Sequence, residues 1–174
     1  SRRRSAEGSA ALAAAPPAAL NDLVAAEKQA LASATGKPPP EAIVSLIGDD
    51  TRVYTRGGPY VGRSAALAGL NANPGNKGTG TTWHPLKSGI SSDGQHGFTL
   101  GYFDISGGAD PAIAHRRYLA YWVHGASGWT VAAFKQGLRR PDEKVLDSLP
   151  PSFPAVATSS PPDAAAAAKS LKEA

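Results

Sequence analysis

Gly97-Phe98-Thr99-Leu100-Gly101-Tyr102 is followed by Arg117-Tyr118-Leu119-Ala120-Tyr121-Trp122 and then by Gly128-Trp129-Thr130-Val131. In the first and last pieces large apolar residues alternate with small or polar ones, which is the period of a half-buried strand, and the middle piece is rich in aromatic residues. Turn signals separate them. Asp93-Gly94 marks a tight hairpin, Gly107–Pro111 a wider loop, and Ala126–Gly128 a second turn. With Trp83 opening a further strand, the pattern predicts long strands over about 81–91, 96–106, 113–124 and 128–137. Consecutive strands joined by short turns pair antiparallel.

Upstream, Thr51–Thr55 reads as a strand, Arg56-Gly57-Gly58-Pro59 as a turn and Tyr60-Val61 as its short partner. Ser64 is placed to cap a helix over Ala65–Leu70, and Asn71–Gly80 reads as a loop. Leu20, Leu23, Val24 and Leu31 fall near one face of a helix over 20–34 that Gly36 stops. Lys37–Pro40 is a stiff link to a shorter helix, Glu41–Ile47, with Ile43, Leu46 and Ile47 inward. Asp142–Leu149 reads as one more helix. The chain thus divides into a disordered Ala/Pro-rich N-terminus (1–19), a domain (20–149), a Pro-rich linker (150–162) and a helix (163–174). That last helix either packs on the domain or begins a second copy of it.

The 174 residues carry a net charge of +4, but Arg2–Arg4 and Arg139–Arg140 hold much of the excess. No clustered basic face with interleaved aromatics is present, which argues against a nucleic-acid module. There is no cysteine, so disulfides and thiol chemistry are excluded. No apolar run reaches the length of a membrane span. Arg2–Arg4 before Ala10–Ala15 is a faint targeting pattern that Pro16-Pro17 interrupts. The sequence is compatible with a periplasmic or secreted location and with a cytoplasmic one.

The order of these elements, together with Asp49-Asp50 before Arg52-Val53-Tyr54, Gly62-Arg63 before a helix, Gly101-Tyr102 in mid-sheet, Tyr118-Leu119 with Trp122, and Gly128-Trp129, resembles the nuclear transport factor 2-like cone. Within it the chain is most similar to the SnoaL-like branch and related small domains of unknown function, over about residues 50–137. The resemblance implies an α+β fold in which a curved, mostly antiparallel sheet wraps around helices. It also implies isomerases, cyclases, dehydratases and non-catalytic binding domains as relatives, and homodimers formed through the open sheet face. Two features depart from the pattern. Lys37–Pro40 interrupts the first two helices, and the last strand ends Phe134-Lys135-Gln136-Gly137, without the acid that many relatives carry there.

Strand alternation sorts the candidates. Phe98, Leu100, Tyr102 and Asp104 share one face, as do Tyr118, Ala120 and Trp122, and as do Trp129, Val131, Ala133 and Lys135. A curled sheet is expected to gather Trp83, Tyr102, Tyr118, Trp122 and Lys135 around one pocket, with small Ala120 leaving space for a ligand. Asp104, on an otherwise apolar face, and His84, beside Trp83, are the candidate general bases. The histidines at 84, 96, 115 and 124 lack the spacing of a metal motif, and no phosphate loop or nucleophile elbow occurs, so neither metal nor cofactor is expected.

Three functions follow as expectations. The first is a domain that binds a small apolar or aromatic molecule. The second is a SnoaL-like isomerase, cyclase or dehydratase with Asp104 or His84 as base. The third is a protein-interaction or dimerisation module.

Overall fold

Residues 15–55 and 57–155 are described by the computed structural model. The expectations for 1–14 and for 156–174, including a second copy of the domain, lie outside the described residues.

The first helix, α1 (Pro16–Ala34), buries Leu20, Leu23, Glu27, Leu31 and Ala34, a stripe that repeats every three or four residues. It starts a turn earlier than Leu20, because Pro16 and Pro17 occupy first-turn positions where a missing N–H is harmless. Val24 stands beside that stripe and is 42% exposed. Its expected inward place belongs to Glu27. Gly36 ends the helix with φ +83° and donates its N–H to the Thr81 carbonyl at 2.8 Å. The second helix, α2 (Pro39–Leu46), buries Ala42, Ile43 and Leu46.

Strands β1 (Arg52–Thr55) and β2 (Gly58–Val61) form the short hairpin, and α3 (Arg63–Ala72) follows. Gly62, at φ +83°, is the residue before α3, so the helix opens at Arg63 rather than after Ser64. The long strands are β3 (Gly80–Ile90), β4 (His96–Ser106), β5 (His115–Gly125) and β6 (Gly128–Leu138). They make a six-stranded sheet in the order β2-β1-β6-β5-β4-β3. Every pairing is antiparallel except β1 with β6, where Val53 sits beside Phe134. The sheet does not close, and α1 crosses its concave side over β3 and β4. Among the described residues no helix is long and apolar enough to cross a membrane.

The inner face is the reverse of the one expected for β4. Gly97, Thr99, Gly101, Phe103 and Ile105 are buried, and the first four lie opposite Trp122, Ala120, Tyr118 and Arg116 of β5. Phe98, Leu100, Tyr102 and Asp104 face outward. On β6 a bulge opposite Tyr121/Trp122 shifts the phase. Val131 and Phe134 therefore point inward, while Ala133 and Lys135 share the outer side.

Asp142–Leu149 forms no helix. The chain from Arg139 to Ala155 instead forms a strap tied to the sheet at both ends. Arg139 N–H bonds the His115 carbonyl, and Leu149 N–H bonds that of Leu86. Ser152 then pairs in parallel with Gly89, donating to Ser88 and accepting from Ile90. The described part of the Pro-rich stretch, 150–155, thus runs along β3 as the end of a strap.

Candidate functional site

Inside the cone, aromatic rings occupy the space that alternation had left for a ligand. Tyr118 lies over Gly101, where any Cβ would crowd its ring, and Leu23 of α1 fills the room at Gly97. Trp83 stacks on Phe103 with centroids 4.4 Å apart and meets Tyr118 edge-on at 5.2 Å. Phe134 lies beside Ala120 and parallel to Tyr118. Trp83 and Tyr118, two of the expected ligand contacts, are therefore packed on each other, and Trp122 is buried in the same core.

Two polar groups are sealed in with them. Tyr118 donates its hydroxyl to Glu27 Oε1 at 2.7 Å, and Trp122 donates Nε1 to Thr99 Oγ1 at 2.9 Å. Glu27 is 3% exposed. Burial pushes its carboxyl above the usual glutamate range, and the bonds from Tyr118 and Thr99 only partly counter that. Burial also pushes the Tyr118 hydroxyl up, reinforced by the neighbouring carboxylate, so it stays a donor. Glu27 escaped notice in the sequence. The signal was its position, four residues from both Leu23 and Leu31 in the buried stripe.

At one end of the sheet, Arg116 is 5% exposed and has no carboxylate partner among the described residues. Neutral acceptors satisfy it instead. Nε bonds Ile113 O at 2.6 Å, NH2 bonds Gly75 O at 2.6 Å, and NH1 reaches Gln136 Oε1 and Asn76 Oδ1. Desolvation lowers its pKa. Arg116 ties the loop after α3 to β5 and β6.

Asp104 and His84 lie on the outer face and do not meet Tyr118 or Trp122. The Asp104 side chain is 48% exposed, 2.6 Å from His115 Nδ1 and 3.7 Å from Arg139. His84 Nε2 is 2.7 Å from the Asp147 carbonyl, which only accepts, so Nε2 carries a proton. Both candidates thus anchor the strap. Tyr102 is buried beneath it, with the Arg139 guanidinium 5.1 Å from its ring centre.

Between strap and sheet lies a groove of about 470 Å³. Leu86, Leu100, Tyr102 and Leu119 supply apolar lining, and Arg117, Lys135 and Glu143 supply charge. Tyr102, Tyr118 and Lys135 are the expected ligand contacts that line this groove, Tyr118 with its hydroxyl still bonded to Glu27 inside; Trp83 and Trp122 do not line it. A second cleft of about 360 Å³ separates α1 and the end of α2 from Trp122 and Trp129. Trp129 Nε1 is buried with no acceptor among the described residues. Among the described residues no cluster of His, Asp and Glu is placed to hold a metal.

An open, mostly antiparallel sheet curled around one long helix is an α+β cone. A nuclear transport factor 2-like protein of unknown function from Pseudomonas putida superposes with a TM-score of 0.52 at 14% identity, over 79% of this chain and 100% of that one. Nuclear transport factor 2 from Cryptosporidium parvum gives 0.47 at 12% identity, over 71% and 94%. A ketosteroid isomerase-like protein from Erwinia carotovora atroseptica gives 0.44 at 16%, over 76% and 99%. The chain has the nuclear transport factor 2-like fold, and at these identities the likeness is one of fold alone. No family model matches the sequence, and no curated protein matches it.

Proposed function

We propose that this is a binding domain for a small apolar or aromatic molecule, held in the outer groove beneath the strap rather than inside the cone. The observation that supports it is the groove itself. Its volume falls in the range of small-molecule sites, and it combines an apolar lining with a few polar groups. Turnover has less support. Asp104 is half-exposed and bonded to His115 and Arg139, and Glu27 is enclosed by packed aromatics. Neither acid lines the groove.

The test is a fluorescence titration with N-phenyl-1-naphthylamine, an uncharged probe that brightens in apolar surroundings. Saturable enhancement is expected, and Leu119→Asp should weaken it at least about tenfold by placing a charge in the apolar lining. Leu119 is 46% exposed, so the fold should tolerate the change. An unaltered response in Leu119→Asp would move the ligand elsewhere.

One observation favours a second reading, self-association. Tyr54, Leu119 and Tyr121 expose 43%, 46% and 44% of their surface on this same side of the sheet. A concentration-dependent dimer in sedimentation, abolished by Leu119→Asp, would support that reading instead.

A further inference from the structure

Resting on the groove as the binding place, we infer that its ligand is an organic anion with an apolar body of about 10 Å, and that Lys135 takes its negative charge. The pairing of the strands supplies the geometry. Lys135 of β6 is in register with Leu119 of β5, and Leu119 with Leu100 of β4. These side chains form a row across the outer face. Neighbouring strands lie roughly 4.8 Å apart, so the row from Lys135 to Leu100 spans about 10 Å. Leu86 continues the apolar surface on β3, beneath the strap. Two fused aromatic rings, or a medium-length acyl chain, match that span.

The charges decide the sign. The groove is lined by two cations, Arg117 and Lys135, and one carboxylate, Glu143. Glu143 faces Arg117, with 3.6 Å between Oε2 and NH1. Lys135 has no carboxylate within ion-pairing distance among the described residues. Its partners in register are uncharged, Leu119 on one side and Tyr54 on the other. An unpaired ammonium at the end of an apolar row suits a carboxylate or sulfonate whose body lies on the leucines. A neutral ligand would leave that charge unanswered, and a cation would be repelled.

A matched pair of probes tests the assignment on the full chain. 8-Anilinonaphthalene-1-sulfonate has the ring system of N-phenyl-1-naphthylamine plus one sulfonate. The sulfonate is expected to bind about tenfold more tightly, the scale of one charge-assisted contact at a partly exposed site. Lys135→Gln should erase that preference, bringing the two affinities together, and Lys135→Arg should retain it. Added salt should weaken only the anionic probe. Equal affinity for the two probes, or a preference that survives in Lys135→Gln, overturns the anion assignment and leaves the groove reading intact. If neither probe saturates, the groove reading fails and the assignment with it. Lys135-dependent binding to phosphatidylglycerol vesicles without binding of the soluble anion would assign the face to a membrane surface and overturn the proposal.

Discussion

On its inner side β4 presents Gly97, Thr99, Gly101 and Phe103, and on its outer side Phe98, Leu100, Tyr102 and Asp104. The outer set has more apolar bulk, yet the inner set is the core. The reason lies on the neighbouring elements. Tyr118 of β5 and Leu23 of α1 are large, and the two glycines of β4 leave the room they fill. On the outer side the bulk stays in place but is covered only by the strap, which leaves a groove. Burial in a curved sheet is a property of facing residues together, and one strand read alone can point the wrong way.

Changes that hollow out the inner face should therefore cost far more than changes outside. Phe103→Ala removes a ring that is 1% exposed and stacked on Trp83. Chemical denaturation should show a loss of about 3–5 kcal/mol, against under about 1 kcal/mol for Leu119→Ala on the outer face. Comparable losses would dissolve the distinction between the faces.

Tyr118→Phe should cost about 1–3 kcal/mol by removing the hydroxyl that donates to the buried Glu27. The loss should be larger above Glu27's raised folded pKa, where the carboxylate is charged, than below it.

Glu27 also gives the interior a pH signature. Its folded pKa is raised, so the folded state holds a proton that the unfolded state releases. Stability should fall as pH rises from the ordinary glutamate value of about 4.3 through Glu27's folded pKa, by about 1.4 kcal/mol per unit of elevation. Glu27→Gln should lack that decline. A wild-type curve parallel to that of Glu27→Gln across this window would mean that the carboxylate is accommodated without strain.

The smallest effect is expected outside. Asp104→Asn weakens partly exposed contacts to His115 and Arg139 and should change stability by under about 1 kcal/mol. Hydrogen exchange should nevertheless speed up at the Arg139 amide, where the strap leaves β6.

The strands, the Asp93-Gly94 hairpin and the stripe of α1 were legible because each follows a local period. The parallel contact of β1 with β6 was not, since no local pattern encodes which distant strands meet. The site was legible in part. Tyr102, Tyr118 and Lys135 line the groove, but grouping them with Trp83 and Trp122 depended on the phase of β4 and on an unbroken β6. The bulge in β6 moves Lys135 to the opposite side from Val131, and no glycine or proline marks it in Val131-Ala132-Ala133. The strap was hidden because prolines suggest a linker, whereas here Ser152, between Pro151 and Pro154, supplies the pairing amide and carbonyl.

The strap also governs how the sheet ends. A bare outermost strand is a template on which other chains can polymerise. Along β3 that template is occupied. The carbonyls of Thr81, Leu86 and Ser88 accept from Gly36, Leu149 and Ser152, Ile90 donates to Ser152, and Pro85 has no amide to offer. The opposite border, β2, is four residues long and contains Pro59. Neither border offers a long, regular ladder to an incoming strand, so a polypeptide with a broad apolar flank is guarded against growing sideways into a fibre.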